Sequence, residues 1–284
     1  MDTDIVTALI AAGVSIFIWL LSIPFEPLKQ KWTHLFRLRI EHKYEQRKEI
    51  KAVISKYKMQ LIDSAESLNR RFENMHDHYD WLDVKGDYTE HNHYIHSFVY
   101  RLMSMLAWIQ KIESEMIYLD ITISDHEDLD FVKHLKLTKA MLCEAGIIKK
   151  NSAQYDVDHQ SDHFFVDRLN SLLSFALNNG EVLSFMDFKN ELTIEQVREM
   201  YQYLDGVNPV EKRYRWDLLQ LVHYMTILLL NNYGYDYQYT DQAKLANLIQ
   251  KQTTKKRLHA EFGHRLIEYG LSKNKEVARL IKLL

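Results

Sequence analysis

One cysteine, Cys143, stands in a chain of 284 residues. No intramolecular disulfide can form, which excludes the cystine-stapled class of small secreted domains and implies no oxidising compartment. Prolines number three (Pro24, Pro27 and Pro209), so long uninterrupted helices are permitted over most of the length. Glycines number eight. Six of them (Gly86, Gly146, Gly180, Gly206, Gly234 and Gly270) stand where a periodic segment stops, the places expected for left-handed caps and turns. No Gly-rich phosphate loop, nucleophile elbow or paired-cysteine site occurs, and the expectation is a non-enzyme with no cofactor. Strand patterns are equally scarce. The nearest, IYLDITI at 117–123, reads better as a helix end.

Charge is missing from one long stretch. From Ile5 to Ile23 there is no Asp, Glu, Lys, Arg, His, Asn or Gln. As a helix this run extends roughly 28 Å, close to the ~30 Å of bilayer hydrocarbon. A cleavable signal would carry basic residues before the apolar core and small residues after it, whereas this one is flanked by MDTD and SIPFEP, so a permanent anchor is predicted. A buried core helix of that length would carry polar residues on an outer face. Residues 29–58 hold ten Lys and Arg against three acids, an excess of 10 − 3 = +7, while only Asp2 and Asp4 precede the span. Basic flanks stay cytoplasmic, which predicts a short outer amino terminus and a cytoplasmic remainder. The net charge of −3 hides this asymmetry, which SDHEDLD (124–130) and YDVDHQSD (155–162) help to offset.

Beyond the anchor the periodicity is helical. Segments near 29–75, 93–120, 127–145, 162–179, 193–204, 210–231, 240–252 and 255–283 are predicted as helices, giving an all-α chain. Its parts are an anchor (1–28), a basic stalk and connector (29–92) and a cytosolic helical sensor domain (93–284). In the stalk, Ile50, Val53, Ile54, Tyr57, Leu61, Ala65, Leu68 and Phe72 recur at three- and four-residue steps and predict one buried face. LLQLVHYMTILLL (218–230) is too short for a span and predicts the core helix of the domain. Within the anchor, Ile5, Ala8, Ala12, Ser15, Trp19 and Ser22 form a heptad seam made mostly of small residues. Such seams let helices approach closely, predicting self-association and, in a ring, a narrow pore.

Candidate binding and catalytic residues fall into four groups. Lys212, Arg213 and Arg215 interleave with Tyr214 and Trp216, and a second basic run supplies Lys255, Lys256 and Arg257. Cations neutralise phosphates while aromatic faces stack on bases, so these residues are candidates for a nucleotide or single-stranded nucleic acid; two solvated helix starts with Trp216 in the core are the alternative. His91, His93 and His96, with Asp87 or Glu90, supply metal-ligand residue types but read better as a solvated connector. Asp156, Asp158, Gln160, Asp162 and Asp167 occupy calcium-loop positions, yet Ser161 replaces the turn glycine and an acidic helix start is the better reading; no metal site is expected. Finally, Arg71 with His76 and Arg257 with His264 resemble the Arg-spacer-His element of HEPN ribonucleases. The apolar Phe72 and Leu258 stand where that family has a polar residue. Under that resemblance His264 would be the general base or acid and Arg257 the stabiliser of phosphorane-like charge.

The apolar helix IVTALIAAGVSIFIWLLSI, the basic exit FRLRIEHKYEQRKEIK and a helical remainder without catalytic motif resemble, in architecture over the whole chain, small bacterial membrane effectors of antiphage defence, the channel-forming effectors of cyclic-nucleotide and Hailong-type systems. The resemblance implies an inner-membrane homo-oligomer with the lipid bilayer and a defence-system protein as partners. It also implies a pore gated by a nucleotide or nucleic-acid ligand bound to the cytosolic domain. A membrane-tethered scaffold for a protein partner and a tethered HEPN-like ribonuclease are the alternatives.

Overall fold

The structure, a computed structural model, describes residues 3–284 except 90, 159–161 and 253, and the backbone alone at 20–28, 191 and 252. It is all-α apart from one short ribbon. In chain order the elements are α1 (Thr3–Asp77), α2 (His93–Glu115), α3 (His126–Met141), α4 (Ala145–Asn151), α5 (Val166–Ser174), β1 (Leu177–Asn178), β2 (Glu181–Val182), α6 (Phe185–Glu191), α7 (Arg198–Leu204), α8 (Arg215–Tyr233), α9 (Gln242–Gln252), α10 (Lys256–Glu268) and α11 (Lys275–Leu283). Two compact units divide the chain, one of Met1–Ile50 with Leu119–Ser124 and the other of Lys51–Tyr118 with Asp125–Leu284.

In the first unit, residues 3–19 of α1 are exposed on every side. Among the described residues no helix is long and apolar enough to cross a membrane. The predicted span runs on into residues 20–23, whose side chains lie outside the described residues, as does that of the seam residue Ser22. The segment 117–123, read as a helix end, follows α2 and contains a 3-10 turn, Ile121–Ile123, started by Asp120, whose Oδ1 accepts from the Thr122 amide at 3.0 Å and hydroxyl at 2.6 Å.

The second unit is built around α8. All sixteen residues from Arg215 to Leu230 are buried, as expected for a helix apolar on all faces and enclosed by others. α3, α10 and α11 pack on it, and α2 packs against α3, α5 and α7. From α1 come the predicted stripe residues Ile54, Tyr57, Leu61, Ala65, Leu68 and Phe72, all buried. The Phe72 ring lies edge-on to Phe98 with centroids 5.5 Å apart and stacks on His223 at 4.8 Å. Thus residues 51–77, predicted as stalk, belong to the second unit and give one face to its core.

Three local features depart from the sequence expectation. The segment 162–179 is a helix only over Val166–Ser174 and then turns into a hairpin pairing Leu177 with Val182 and Asn178 with Glu181. Its two turn residues, Asn179 and Gly180, have φ of 50° and 83°, the two-residue turn that matches strand twist. The predicted helix 255–283 is broken at Gly270 (φ 71°) and restarts after Asn274, whose side chain accepts from the amides of Glu276 and Val277. Gly146 and Gly234 are not left-handed. Gly146 lies inside α4, and at Gly234 a Cβ would sit 2.5 Å from Gln238 Oε1 and 2.6 Å from the Leu230 carbonyl, so close approach rather than φ demands glycine.

The connector after α1 is exposed over most of its length and is fastened at one point. Lys85 and Gly86 both take positive φ, turning successive amides toward one point. There the Asp205 carboxylate accepts from the amides of Val84 (3.0 Å), Lys85 (3.1 Å) and Gly86 (2.7 Å) and from the Tyr88 hydroxyl (3.2 Å).

Candidate functional site

The two predicted basic clusters do meet. Lys255 Nζ donates to the Arg213 carbonyl at 2.8 Å and lies 5.0 Å from the centre of the Tyr214 ring. Much of their charge, however, is answered internally. Arg213 Nε donates to the buried Asp162 at 2.7 Å. Arg215 is buried; it pairs with Glu211 and its Nη1 donates to the carbonyls of Gln202, Tyr203 and Asp205, which terminates α7. Lys255 also pairs with Asp217 at 3.1 Å. Asp217 is fully buried and further accepts from the Thr254 hydroxyl (2.6 Å) and the Lys255 amide (2.9 Å), with His259 Nε2 at 3.4 Å. Burial alone would raise the Asp217 carboxyl, but the contacts from His259 and Thr254 and the Lys255 charge outweigh it and hold it well below the usual carboxylate range. Lys212, Lys256 and Arg257 remain exposed. Lys256 lines a cavity of about 310 Å³ together with His259, Leu283 and Leu284.

The other candidates are distributed differently. Arg257 and His264 lie on α10 with both side chains exposed. Arg71 and His76 diverge: Arg71 donates to Ser97 Oγ at 2.8 Å, whereas His76 is bonded to Gln220 Oε1 at 2.9 Å. No group of three His, Cys, Asp or Glu side chains able to hold a metal occurs among the described residues. His96 has both ring nitrogens engaged, with the Tyr201 hydroxyl at 2.6 Å and the Thr89 carbonyl at 2.9 Å. Glu90, Gln160 and Ser161 of the two metal-loop readings lie outside the described residues. Burial pushes the Cys143 thiol up to about 12, far from a nucleophile's range.

A site that the sequence reading missed lies between α1 and α2. Gln60, Ser64, Ser67 and Arg71 on α1 recur at steps of 4, 3 and 4, and so do Ser97, Arg101, Ser104 and Trp108 on α2. The helices run antiparallel, bringing the two polar rows face to face. Ser64 Oγ is 3.1 Å from Ser104 Oγ, Arg101 Nη1 donates to the Ser67 carbonyl at 2.8 Å, and Arg71 and Arg101 both donate to the Ser97 hydroxyl. Beside this ladder a cleft of about 380 Å³ opens, lined among others by Tyr100, Arg101, Ser104, Trp108 and Asp63, and bounded by Leu183 and Ser184 after the hairpin. The Tyr100 hydroxyl donates to the Leu183 carbonyl at 3.2 Å, tying that edge to α2.

The cleft carries Arg101 on its α2 wall and the exposed Asp63 on its α1 wall, and the two are not bonded to each other. Among the described residues no carboxylate pairs with Arg71 or Arg101, although Arg70 beside them pairs with Glu66. Arg71 lies over the Tyr94 ring at 4.3 Å, and its Nε is buried without a hydrogen-bond partner. Burial pushes the Arg101 guanidinium below its ordinary value, and the neighbouring Arg71 charge pushes the same way. The signal was present in the sequence as paired 4-3-4 rows, Gln60, Ser64, Ser67 and Arg71 on one helix and Ser97, Arg101, Ser104 and Trp108 on the other. Compared with protein-family models, curated proteins and solved structures, the chain matches none.

Proposed function

We propose that the protein is a membrane effector: an amino-terminal helix anchors it in a bilayer and self-associates, and the helical domain controls that assembly in response to a ligand. The observation that carries this reading is the exposure of α1. Ile5, Val6, Leu9, Ile10, Val14, Ile16, Phe17, Ile18 and Trp19 show 42 to 64% of their surface, on all sides of one helix. Left in water, such a helix forgoes the burial that stabilises any amphipathic one, at about 25 cal/mol per Å² of apolar surface. Lipid removes that deficit without a protein partner. The hydroxyls of Thr7 and Ser15 donate to the carbonyls of Thr3 and Ala11 at 2.8 and 2.9 Å, the internal satisfaction that a hydrocarbon environment requires. The basic flank after the span favours an amino terminus outside and a cytoplasmic domain in a bacterial inner membrane. Ala8, Ala12 and Ser15 supply the close-packing seam, and a ring of such seams makes a pore the natural output.

Deletion of residues 1–28 tests the anchor. The full chain is expected to resist carbonate extraction and to float with liposomes, while the truncated chain stays in the aqueous fraction. Retention of the truncated chain in membranes would place the membrane contact elsewhere.

A further inference from the structure

Beside the cleft between α1 and α2 stand two guanidinium groups to which no carboxylate is bonded among the described residues, although Asp63 lines the cleft on its α1 side. The two share one serine hydroxyl and repel each other. A structural arginine is ordinarily answered as Arg215 is here, by Glu211 and three carbonyls. Arg101 instead meets one carbonyl and a hydroxyl, with Ser64 and Ser104 as the neighbouring rungs. Guanidinium and hydroxyl donors converging on a water-accessible concavity are the equipment for an oxyanion, and the guanidinium fork matches phosphate oxygens in pairs. Trp108, two helical turns from Arg101, presents an apolar ring on the same wall, a surface on which a planar heterocycle stacks. Asp63 and Gln60 on the facing wall supply acceptors suited to hydroxyl groups. At about 380 Å³ the cleft falls in the lower part of the ~300–1,000 Å³ range of small-molecule sites.

We infer that this cleft binds a small phosphorylated molecule carrying a planar ring, of the mononucleotide class, with its phosphate against Arg101 and its ring along Trp108. The inference deepens the reading of the helical domain as a ligand sensor and rests on it, but it relocates the ligand from the 212–215 and 255–257 clusters to the α1–α2 seam. Phosphate binding neutralises the Arg71–Arg101 repulsion and draws together the α1 wall, the α2 wall and the edge at Leu183 and Ser184. A site joining the chain's first helix to its second is therefore able to report occupancy along α1.

The test is calorimetric titration of the full chain in detergent micelles with adenosine 5′-monophosphate, inorganic phosphate and adenosine. Adenosine 5′-monophosphate is expected to bind, phosphate more weakly, and adenosine without measurable heat. Arg101→Gln and the cleft-filling Ser104→Leu should each weaken adenosine 5′-monophosphate at least tenfold, while Lys256→Gln with Arg257→Gln leaves it unchanged; thermal melts of each variant confirm that it is folded. The inference is overturned if neither phosphate compound binds the wild-type chain, if a folded Arg101→Gln chain binds as the wild type does, or if affinity is lost with Lys256 and Arg257 instead. Liposome flotation of the same Arg101→Gln chain should be unchanged, so failure of the cleft and failure of the membrane reading give separate results.

Discussion

Acid should weaken this fold through His134, and the size of the effect follows from its surroundings. His134, on α3, is fully enclosed against α8: its Nε2 donates to the Met225 carbonyl at 2.7 Å, and its Nδ1 is buried with no partner. That geometry fixes the neutral ring with the proton on Nε2. A second proton on Nδ1 would create a buried cation with no acceptor for it, and burial accordingly lowers His134 to about 4 from its ordinary 6.5, the Met225 hydrogen bond opposing only in part. In the unfolded chain the ring takes its proton near 6.5. The unfolded state therefore binds more protons between pH 6.5 and 4, and stability falls as pH is lowered through that window, levelling off below it. The linkage integral gives about 2 kcal/mol lost between pH 7 and 5, and ~3.4 kcal/mol once the folded state is protonated as well, below about pH 4. His76 and His223 are also pushed down by burial and steepen the wild-type profile. Comparison with His134→Gln isolates the one residue, because the Gln amide nitrogen reaches the same carbonyl but does not titrate. Urea unfolding of the full chain in detergent at pH 7, 6 and 5 should show a wild-type slope exceeding that of the variant by about 2 kcal/mol across the range. Parallel profiles for the two chains would refute the argument, whatever constant offset the substitution introduces.

Two further outcomes are expected. Asp217→Ala removes the acceptor for Lys255 Nζ, the Lys255 amide and the Thr254 hydroxyl at a fully buried position, and should lower unfolding free energy by about 3–5 kcal/mol; a loss below about 1 kcal/mol in denaturant titration would mean that water replaces the carboxylate at little cost. Replacing Ala12 and Ser15 together with Leu should lower the oligomeric fraction in cross-linking and sedimentation, because bulk at the seam keeps helices apart, whereas Leu9→Ile should not; equal oligomer populations would remove the case for the seam.

What the sequence made legible was whatever depends on spacing along one element. The buried stripe of α1 and the all-round apolar α8 follow from periodicity, since each face is decided within a few turns. The hairpin was equally local, and Asn179-Gly180 between Leu177-Asn178 and Glu181-Val182 is its ordinary signature. It was obscured because that glycine also suits a helix stop. Charge was the poorer guide. Lys212, Arg213, Arg215 and Lys255 are adjacent in sequence to other cations, but Asp162 and Asp217 reach Arg213 and Lys255 through the fold, while Glu211 meets Arg215 from four residues away. Gly234 shows the same limit: its requirement comes from Gln238 and Leu230 folding back on it, not from its own φ. The Arg71–Arg101 cleft needed two rows to be laid side by side, and a single row of serines in a helix carries no instruction about what faces it.

Four polar residues in the second half of α1 have partners far along the chain. Glu66 is met by Gln238, Asn69 by His223, Glu73 by Lys244 and His76 by Gln220, at sequence separations of 172, 154, 171 and 144 residues. A ribosome releases this helix long before it makes α8 and the residues beyond it. Until then the nascent segment carries a greasy stripe and several unanswered polar groups, and it has little native structure to lose by waiting. Production of the protein is thus governed by its carboxyl-terminal third: a message truncated before residue 215 yields a chain whose longest helix has no core to join, the kind of product that chaperones hold and proteases remove.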